Sequence, residues 1–168
     1  MQLHSLPQVT LQQIPNGPAG INYTLRVMRQ FVRAGKRQYP IRDLALSLVR
    51  RNKPKDWYGE VRDLHRYVRD KIRYVRDING IETIATPENT LKIGQGDCDD
   101  KSVLLAALLE SIGHPSRFVA LSFEPGLYSH VLVESKVGDK WISLETTEPV
   151  ETGWYPPGVI NRMEMHNR

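Results

Sequence analysis

Apolar and polar residues recur with two different periods, and the change from one period to the other divides the chain in two. Up to about residue 113, apolar residues recur every three or four positions, which is typical of amphipathic helices. The pattern predicts a first helix over 24–34, a second beginning at Pro40 and a third over 56–71. A short helix capped by Thr86 and a central helix over 98–112 follow.

The third helix shows the clearest stripe, because its apolar residues recur at positions i, i+4, i+7 and i+11. These residues are Trp57, Val61, Leu64 and Val68. His65 lies beside the stripe, and we expect it at the surface or flank of the helix rather than in a set of ligands.

Beyond residue 115 the pattern is that of strands, which we predict over 117–122, 128–135 and 140–146. Gly138 and Asp139 form a predicted two-residue turn that joins the second and third strands into a hairpin. The sequence therefore predicts an α+β fold in which helices precede a small antiparallel sheet.

The central helix is apolar around most of its circumference, so we expect it to be buried nearly all round and packed on the sheet. Asp97 is a good N-cap, and Asp100, three residues later, makes an aspartate variant of the capping box. Gly113 and Pro115 end the helix.

Prolines and glycines are frequent at both ends of the chain and predict segments without regular structure. We expect an extended arm over 1–20 and an irregular tail over 149–168. Between them, 21–148 is predicted to fold as one domain, with a helical part over 21–113 and a sheet part over 116–148.

The composition is that of an ordinary globular protein, with 40% hydrophobic and 25% charged residues. A single cysteine excludes an intramolecular disulfide and fits a reducing compartment. No apolar run approaches the roughly 20 residues of a membrane span, and the first residues lack the pattern of a signal peptide. We therefore expect a cytoplasmic protein.

Charge is distributed unevenly along the chain. Residues 1–80 carry 16 Lys/Arg against 6 Asp/Glu, whereas residues 81–168 carry 7 against 13. A basic half can contact nucleic acid or an acidic partner, but no nucleic-acid-binding motif accompanies the charge. We favour a solvated helical surface that complements the acidic half.

Candidate chemistry centres on residues 94–101, Gly-Gln-Gly-Asp-Cys-Asp-Asp-Lys, which hold the only cysteine, Cys98. Its thiol stands where a glycine-broken turn meets the N-terminus of the central helix. The unpaired N–H groups there favour a thiolate and can stabilise an oxyanion. A lone cysteine is more often a small buried hydrophobe than a nucleophile, but a histidine and a carboxylate later in the chain favour the nucleophile.

The predicted hairpin selects the partners of the thiol. Its turn makes His130 a diagonal neighbour of Glu145 on the same face of the sheet, whereas Glu134 opposes Ser143, too far along the strand. Glu145 is therefore the carboxylate that we expect to orient His130, which would accept the proton of Cys98. The aspartates around the cysteine oppose a low thiol pKa, so His130 must supply most of the activation.

Five segments follow one another in a fixed order. They are residues 94–101, an Ala/Leu-rich helix ending at Gly113-x-Pro115, Arg117-Phe118-Val119, Ser129-His130-Val131-x-Val133-Glu134 and Trp141-x-x-Leu144-Glu145-Thr146-Thr147. This ordered set resembles the transglutaminase-like superfamily over about residues 56–148. It is most similar to bacterial and phage-encoded members, among them cysteine peptidases.

The resemblance implies a papain-like core, with Cys98 as nucleophile, His130 as general base and Glu145 in place of the family's usual aspartate. It also implies two oxyanion donors, the backbone N–H of Cys98 and an upstream side chain, for which Gln95 and Tyr74 are both candidates. The implied reaction is attack of the thiol on an amide carbonyl to give a thioester. We favour hydrolysis of a peptide or isopeptide bond over transfer to an amine, and we expect no cofactor.

A second hypothesis is a catalytically weak or inactive module with a structural or assembly role, for instance in a phage particle. Its N-terminal arm would then contact an assembly partner, whereas the enzyme would take a protein or peptide substrate; neither hypothesis involves a membrane. A metal site at Cys98 and His130 is disfavoured, because a structural zinc site needs four closely spaced ligands and the chain has one cysteine.

Overall fold

The computed structural model describes residues 13–14, 17–77 and 82–168, and it confirms the α+β class. The first part of these residues is mainly helical, and the second part is mainly sheet. Their elements, in chain order, are α1 (Pro18–Gly35), α2 (Tyr39–Val49), α3 (Trp57–Lys71), β1 (Arg73–Tyr74), α4 (Pro87–Ile93), β2 (Gln95–Gly96), α5 (Cys98–Ser111), β3 (Ser116–Glu124), β4 (Leu127–Val137), β5 (Lys140–Leu144) and β6 (Asn161–His166).

Helix α5 lies at the centre of the domain, where it contacts α1, α2, α3 and α4 on one side and the sheet on the other. Its residues from Asp100 to Glu110 are all buried, because apolar side chains occupy every face of the helix. The burial of its four leucines contributes on the order of 6 to 12 kcal/mol. This packing holds the first turn of α5, with Cys98, in a fixed position.

The sheet has four antiparallel strands in the order β5-β4-β3-β6. Strands β4 and β5 pair from Val137 opposite Lys140 to Val133 opposite Leu144, which confirms the predicted turn and register. The ladder ends at Leu144, so Glu145 is the first residue beyond it.

Strands β1 and β2 form a separate parallel pair, with Tyr74 opposite Gly96. The pair joins the segment that follows α3 to the segment that precedes α5. Gly94, with φ of 74°, ends α4 in the left-handed conformation and allows the chain to turn into β2. The polypeptide therefore approaches Cys98 along a short strand rather than through a free loop.

Both predicted terminal segments need correction. The tail contains strand β6, which pairs with β3, because Met163 and Met165 alternate with polar residues and pack against the core. Helix α1 begins at Pro18, inside the predicted arm, because proline is favourable at the first helical position. Residues 1–12 and 15–16 of the arm lie outside the described residues.

Helix α3 buries Val61, Leu64 and Val68 as its pattern predicts, but two of its residues differ from expectation. Trp57 at its start is 52% exposed, whereas His65 is completely buried. The prediction that His65 lies at the surface or flank is therefore wrong, and hydrogen bonds described below account for its position.

None of the helices in the described part of the chain is long and apolar enough to cross a membrane.

Candidate functional site

The first turn of α5 is held by two aspartates, Asp97 immediately before Cys98 and Asp100 two residues after it. Asp97 accepts a hydrogen bond of 3.0 Å from the backbone N–H of Asp100, and the Asp100 carboxylate accepts one of 3.2 Å from the N–H of Asp97. Asp100 also accepts a 2.8 Å bond from the N–H of Ala85. The first bond satisfies an N–H group that a helix start otherwise leaves unpaired, and the other two fix the N-cap residue and the segment before α4 to the Asp100 side chain.

Gly96 permits this arrangement, because the Asp100 side chain passes directly over its Cα. A Cβ at position 96 would lie 2.5 Å from the Cβ of Asp100, a distance that packed atoms do not tolerate.

Cys98 is the first residue of α5, and its side chain is half-buried. Its Sγ lies 3.7 Å from Oδ1 of Asp99. Burial, together with the charges of Asp99 and Asp97, raises the pKa of the thiol, and the backbone of Val131 opposes this rise only in part. The thiol is therefore the resting form of Cys98 at neutral pH.

The carboxyl groups of the neighbouring aspartates, Asp97 and Asp99, have raised pKa values. Burial and the charges of Glu82 and Asp100 raise the pKa of Asp99 to about 7. Burial and the other aspartates likewise raise the pKa of Asp97 to about 8. Near neutral pH these carboxyl groups therefore carry only part of the negative charge that the sequence assigns to them.

The face of α5 that carries Cys98 packs against β4. Ser102, one turn after Cys98 on the same face, donates a 3.3 Å hydrogen bond to the backbone carbonyl of Val131. Val131 follows His130 in the strand, and the charge of His130 acts on Asp99, the neighbour of Cys98. The N-terminal part of α5 and the part of β4 that carries His130 therefore lie next to each other.

His130 lies on β4 and contacts the carboxylate of Glu145 beyond the end of β5. The His130 Nε2 is 2.5 Å from the Glu145 Oε2. Since the carboxylate occupies Nε2, Nδ1 is the ring nitrogen that can take a proton from another group.

Glu145 is almost fully buried and held by further donors. Its Oε1 accepts bonds from the backbone N–H and the hydroxyl of Thr147, at 2.7 and 2.8 Å. Burial raises the pKa of Glu145, but the hydrogen bonds and the charge of His130 outweigh burial and lower it. Glu145 is therefore ionised at neutral pH.

His65 supports the backbone of Glu145 from α3. Its Nε2 is 2.5 Å from the carbonyl oxygen of Glu145, and its Nδ1 is 2.8 Å from the hydroxyl of Thr152. Because a carbonyl oxygen only accepts, Nε2 carries the proton and Nδ1 accepts from the hydroxyl. Burial lowers the pKa of His65, which keeps the ring in this neutral form.

The two oxyanion candidates occupy the β1–β2 pair. Gln95 is exposed on β2, three residues before Cys98. Tyr74 lies opposite Gly96, with 47% of its surface exposed. Burial and the charge of Cys98 raise the pKa of Tyr74, which places its phenol within electrostatic range of the thiol.

Among the described residues, no group of three or more His, Cys, Asp or Glu side chains is arranged to hold a metal ion.

Comparison with known families identifies the fold. A sequence model described as the transglutaminase-like superfamily matches residues 42–146, which is more than half of the chain. The chain belongs to the transglutaminase-like superfamily. None of the curated proteins compared with the chain matches it in sequence.

Solved structures agree with this assignment at the level of the fold. The chain is similar to a proposed protease from Parabacteroides distasonis (TM-score 0.59, 14% identity), of which it spans 26% while 74% of its own length is covered. A proposed cysteine protease from Cytophaga hutchinsonii gives a TM-score of 0.54 at 18% identity, with 75% of this chain and 46% of that chain covered. The chain thus spans less than half of either protein.

EGTA-treated LapG from Legionella pneumophila has a length closer to that of this chain. It gives a TM-score of 0.54 at 16% identity, with 80% of this chain and 77% of that chain covered.

The structure brings together most of the residues that the sequence singles out in this superfamily member. His130 and Glu145 are in contact, and Asp97 and Asp100 form the cap of the helix that Cys98 begins. The two oxyanion candidates, Gln95 and Tyr74, are both exposed on the β1–β2 pair.

Three supporting residues were not anticipated, namely His65, Ser102 and Thr147. His65 lies four residues after Val61, and this spacing indicates the buried face of α3. The contacts of Ser102 and Thr147 depend on the packing of α5 on β4 and on the turn after β5, so no local pattern signals them.

Proposed function

We propose that this transglutaminase-like chain is a cysteine-dependent acyl-transfer enzyme that hydrolyses a peptide or isopeptide bond. The observation that carries the proposal is the His130–Glu145 contact of 2.5 Å beside the helix N-terminus that begins with Cys98. A nucleophile at a helix start, a histidine and a buried ionised carboxylate are the parts that thiol-dependent acyl transfer requires.

Because the pKa of the thiol is raised, the proton leaves Cys98 during attack rather than beforehand. His130 accepts this proton as the sulfur bonds to the carbonyl carbon, and Glu145 stabilises the imidazolium that forms. The imidazolium then protonates the leaving amine, which departs as the thioester forms. Attack of water on the thioester, assisted by the neutral His130, releases the acid and restores the thiol.

The tetrahedral intermediate carries a negative charge on the former carbonyl oxygen. The N-terminus of α5 offers the backbone N–H of Cys98 to this oxygen, and the Tyr74 hydroxyl and the Gln95 amide, both on the β1–β2 pair, are the two candidate side-chain donors. Removal of one oxyanion donor costs about 100- to 1000-fold in rate in other enzymes.

Glu145 in place of the superfamily's usual aspartate is compatible with this role. The longer side chain starts just beyond the end of β5 and reaches His130 Nε2, while Thr147 holds its second oxygen. The fold similarity to a proposed protease, a proposed cysteine protease and LapG is consistent with peptide hydrolysis.

An active-site titration tests the proposal without a known substrate. p-Nitrophenyl acetate should acylate Cys98 and release a burst of one equivalent of nitrophenol, with a matching increase in the intact mass of the chain. Cys98→Ala should give no burst, and His130→Ala should slow acylation by about 100-fold or more, the contribution of a general base.

His166→Ala is the matched control, because His166 lies exposed on β6 away from the site. It should leave the burst unchanged. Equal burst rates in the wild-type chain and the His130→Ala variant would contradict the proposed mechanism.

A second candidate is a catalytically weak module with an assembly role. The carboxylates around Cys98 favour it, because they raise the pKa of the thiol. It predicts no burst at any pH from 6 to 9 in a correctly folded chain. An assembly partner, a phage setting and a cytoplasmic location stay predictions from the sequence.

A further inference from the structure

A groove of about 340 Å³ opens between the C-terminal end of α3 and the segment that follows β5. It is distinct from the contact between His130 and Glu145 but lies beside it. Its lining includes Lys71, Arg73, Tyr74, Lys101, Thr147 and Glu148.

Two of these residues connect the groove to the proposed catalytic residues. Thr147 donates two hydrogen bonds to Glu145, and the phenol of Tyr74 lies within electrostatic range of Cys98. The groove therefore adjoins the carboxylate that contacts His130, and a peptide bound at Cys98 would lie close to it.

The charge of the groove is predominantly positive. Its lining has four basic residues and two acidic ones, of which Arg69 and Asp70 pair with each other at 2.7 Å. Lys101 points its ammonium at the carbonyls of Arg69 and Ile72, at 3.3 and 2.6 Å.

Two exposed basic side chains of the lining, those of Lys71 and Arg73, are available to bind a ligand. Within the described part of the chain, neither Lys71 nor Arg73 forms an ion pair, and both side chains face solvent. Glu148 is the one acidic group of the lining without a basic partner there. The groove therefore presents a positive surface to whatever enters it.

We propose that this groove binds a carboxylate of the peptide substrate close to the bond that is cleaved, with Lys71 and Arg73 as its partners. The substrate class is thus a protein segment with an acidic residue, or a chain end, adjoining the scissile amide. This inference rests on the proposed function for its biological meaning, but the binding itself can be measured without turnover.

The test is a titration of isotope-labelled Cys98→Ala protein, observed by NMR, with two short peptides. The probes are acetyl-Gly-Glu-Gly-Glu-Gly-amide and the same peptide with Gln in place of Glu. We expect the Glu peptide to shift the amide signals of Arg73, Tyr74 and Thr147, and the Gln peptide to bind about tenfold more weakly, the effect of two exposed ion pairs.

Two double variants complete the design. Lys71→Gln with Arg73→Gln should abolish the preference for the Glu peptide. Arg50→Gln with Lys53→Gln removes equal charge from an exposed region outside the groove and should preserve it. The Gln peptide with a free C-terminal carboxylate distinguishes a chain end from an acidic side chain as the source of the carboxylate.

Equal affinity for the Glu and amidated Gln peptides, or signal shifts confined to another surface, would overturn the proposal. The same holds if the groove double variant keeps the preference. An absent acylation burst with intact Glu-peptide binding would instead reject the proposed function alone, so the two failures are distinguishable.

Discussion

Asp99→Asn is the substitution that probes most directly how the thiol is controlled. Asp99 lies next to Cys98, and its carboxylate is the charged group in contact with Sγ. Asparagine has nearly the same shape and keeps an acceptor oxygen, so the substitution removes the charge and little else. Asp99 is not the N-cap of α5, so the helix start keeps its own hydrogen bonds.

The size of the effect follows from the distance. Two unit charges 3.7 Å apart interact by about 4.5 kcal/mol at an effective dielectric constant near 20. That energy corresponds to roughly three pH units, and solvent at this half-buried site reduces it. Because the pKa of Asp99 is about 7, its carboxylate is ionised in the range where the thiol titrates. We therefore expect Asp99→Asn to lower the pKa of Cys98 by about one to three units.

The assay is the rate of Cys98 alkylation by iodoacetamide as a function of pH, since only the thiolate reacts. The midpoint of the rate profile should move to lower pH in Asp99→Asn, and at about pH 9 the variant should react about tenfold faster or more. At pH 7 Asp99 of the wild-type chain is about half protonated, so the two rates should differ there only about twofold. Asp139→Asn, in the exposed β4–β5 turn, is the matched control and should reproduce the wild-type profile. Superimposable profiles for Asp99→Asn and the wild-type chain would refute the electrostatic account.

Three further substitutions test residues that hold the site in place, namely His65, Gly96 and Lys101. His65→Leu removes the donor to the Glu145 carbonyl and should lower the free energy of unfolding by about 2–4 kcal/mol in urea titrations, whereas His65→Gln should recover part of it; equal losses would contradict the assigned bond. Gly96→Ala places a Cβ against Asp100 and should cost about 1–3 kcal/mol; an unchanged melting temperature would show that the contact is looser. Burial lowers the pKa of Lys101 from 10.5 to about 8, so the unfolded chain binds more protons between these values. Wild-type stability should therefore rise with pH across this range relative to Lys101→Met, and parallel curves for the two chains would contradict the shift.

The sequence predicts the fold well wherever a local period determines the structure. The apolar circumference of α5 anticipates its central position, and the Gly138–Asp139 turn sets the register of β4 and β5. The same register explains why the sequence alone predicts that His130 and Glu145 lie on the same face of the sheet, close to each other. Side chains in a strand alternate with a fixed period of two, so a known turn determines which residues share a face.

The predictions from the sequence are wrong where the structure depends on a contact between distant parts of the chain. Strand β6 follows a run of prolines and glycines, and its pairing with β3 becomes favourable only once Met163 and Met165 can pack against the core. His65 is buried because Glu145 and Thr152, about 80 residues later, supply its hydrogen-bond partners. No local pattern encodes the presence of such partners, so a polar residue beside an apolar stripe is predicted to be exposed.

The carboxyl groups of the site fall into two classes because their hydrogen-bond partners differ, and this difference assigns their roles. Glu145 has donors for both oxygens, from His130 and Thr147, so it stays ionised despite its burial. Asp99 is half-buried and lacks comparable support, and its pKa rises to about 7. One carboxylate is therefore a constant charge that can stabilise an imidazolium, whereas the other changes its charge near neutral pH. As pH falls through 7, protonation of Asp99 removes a negative charge beside Cys98 and favours the thiolate, which opposes the direct effect of acid on the thiol. In the Asp99→Asn variant this compensation is absent, so its alkylation rate should change more steeply than that of the wild-type chain between about pH 9 and pH 7, whereas well below pH 7 the two profiles should run parallel.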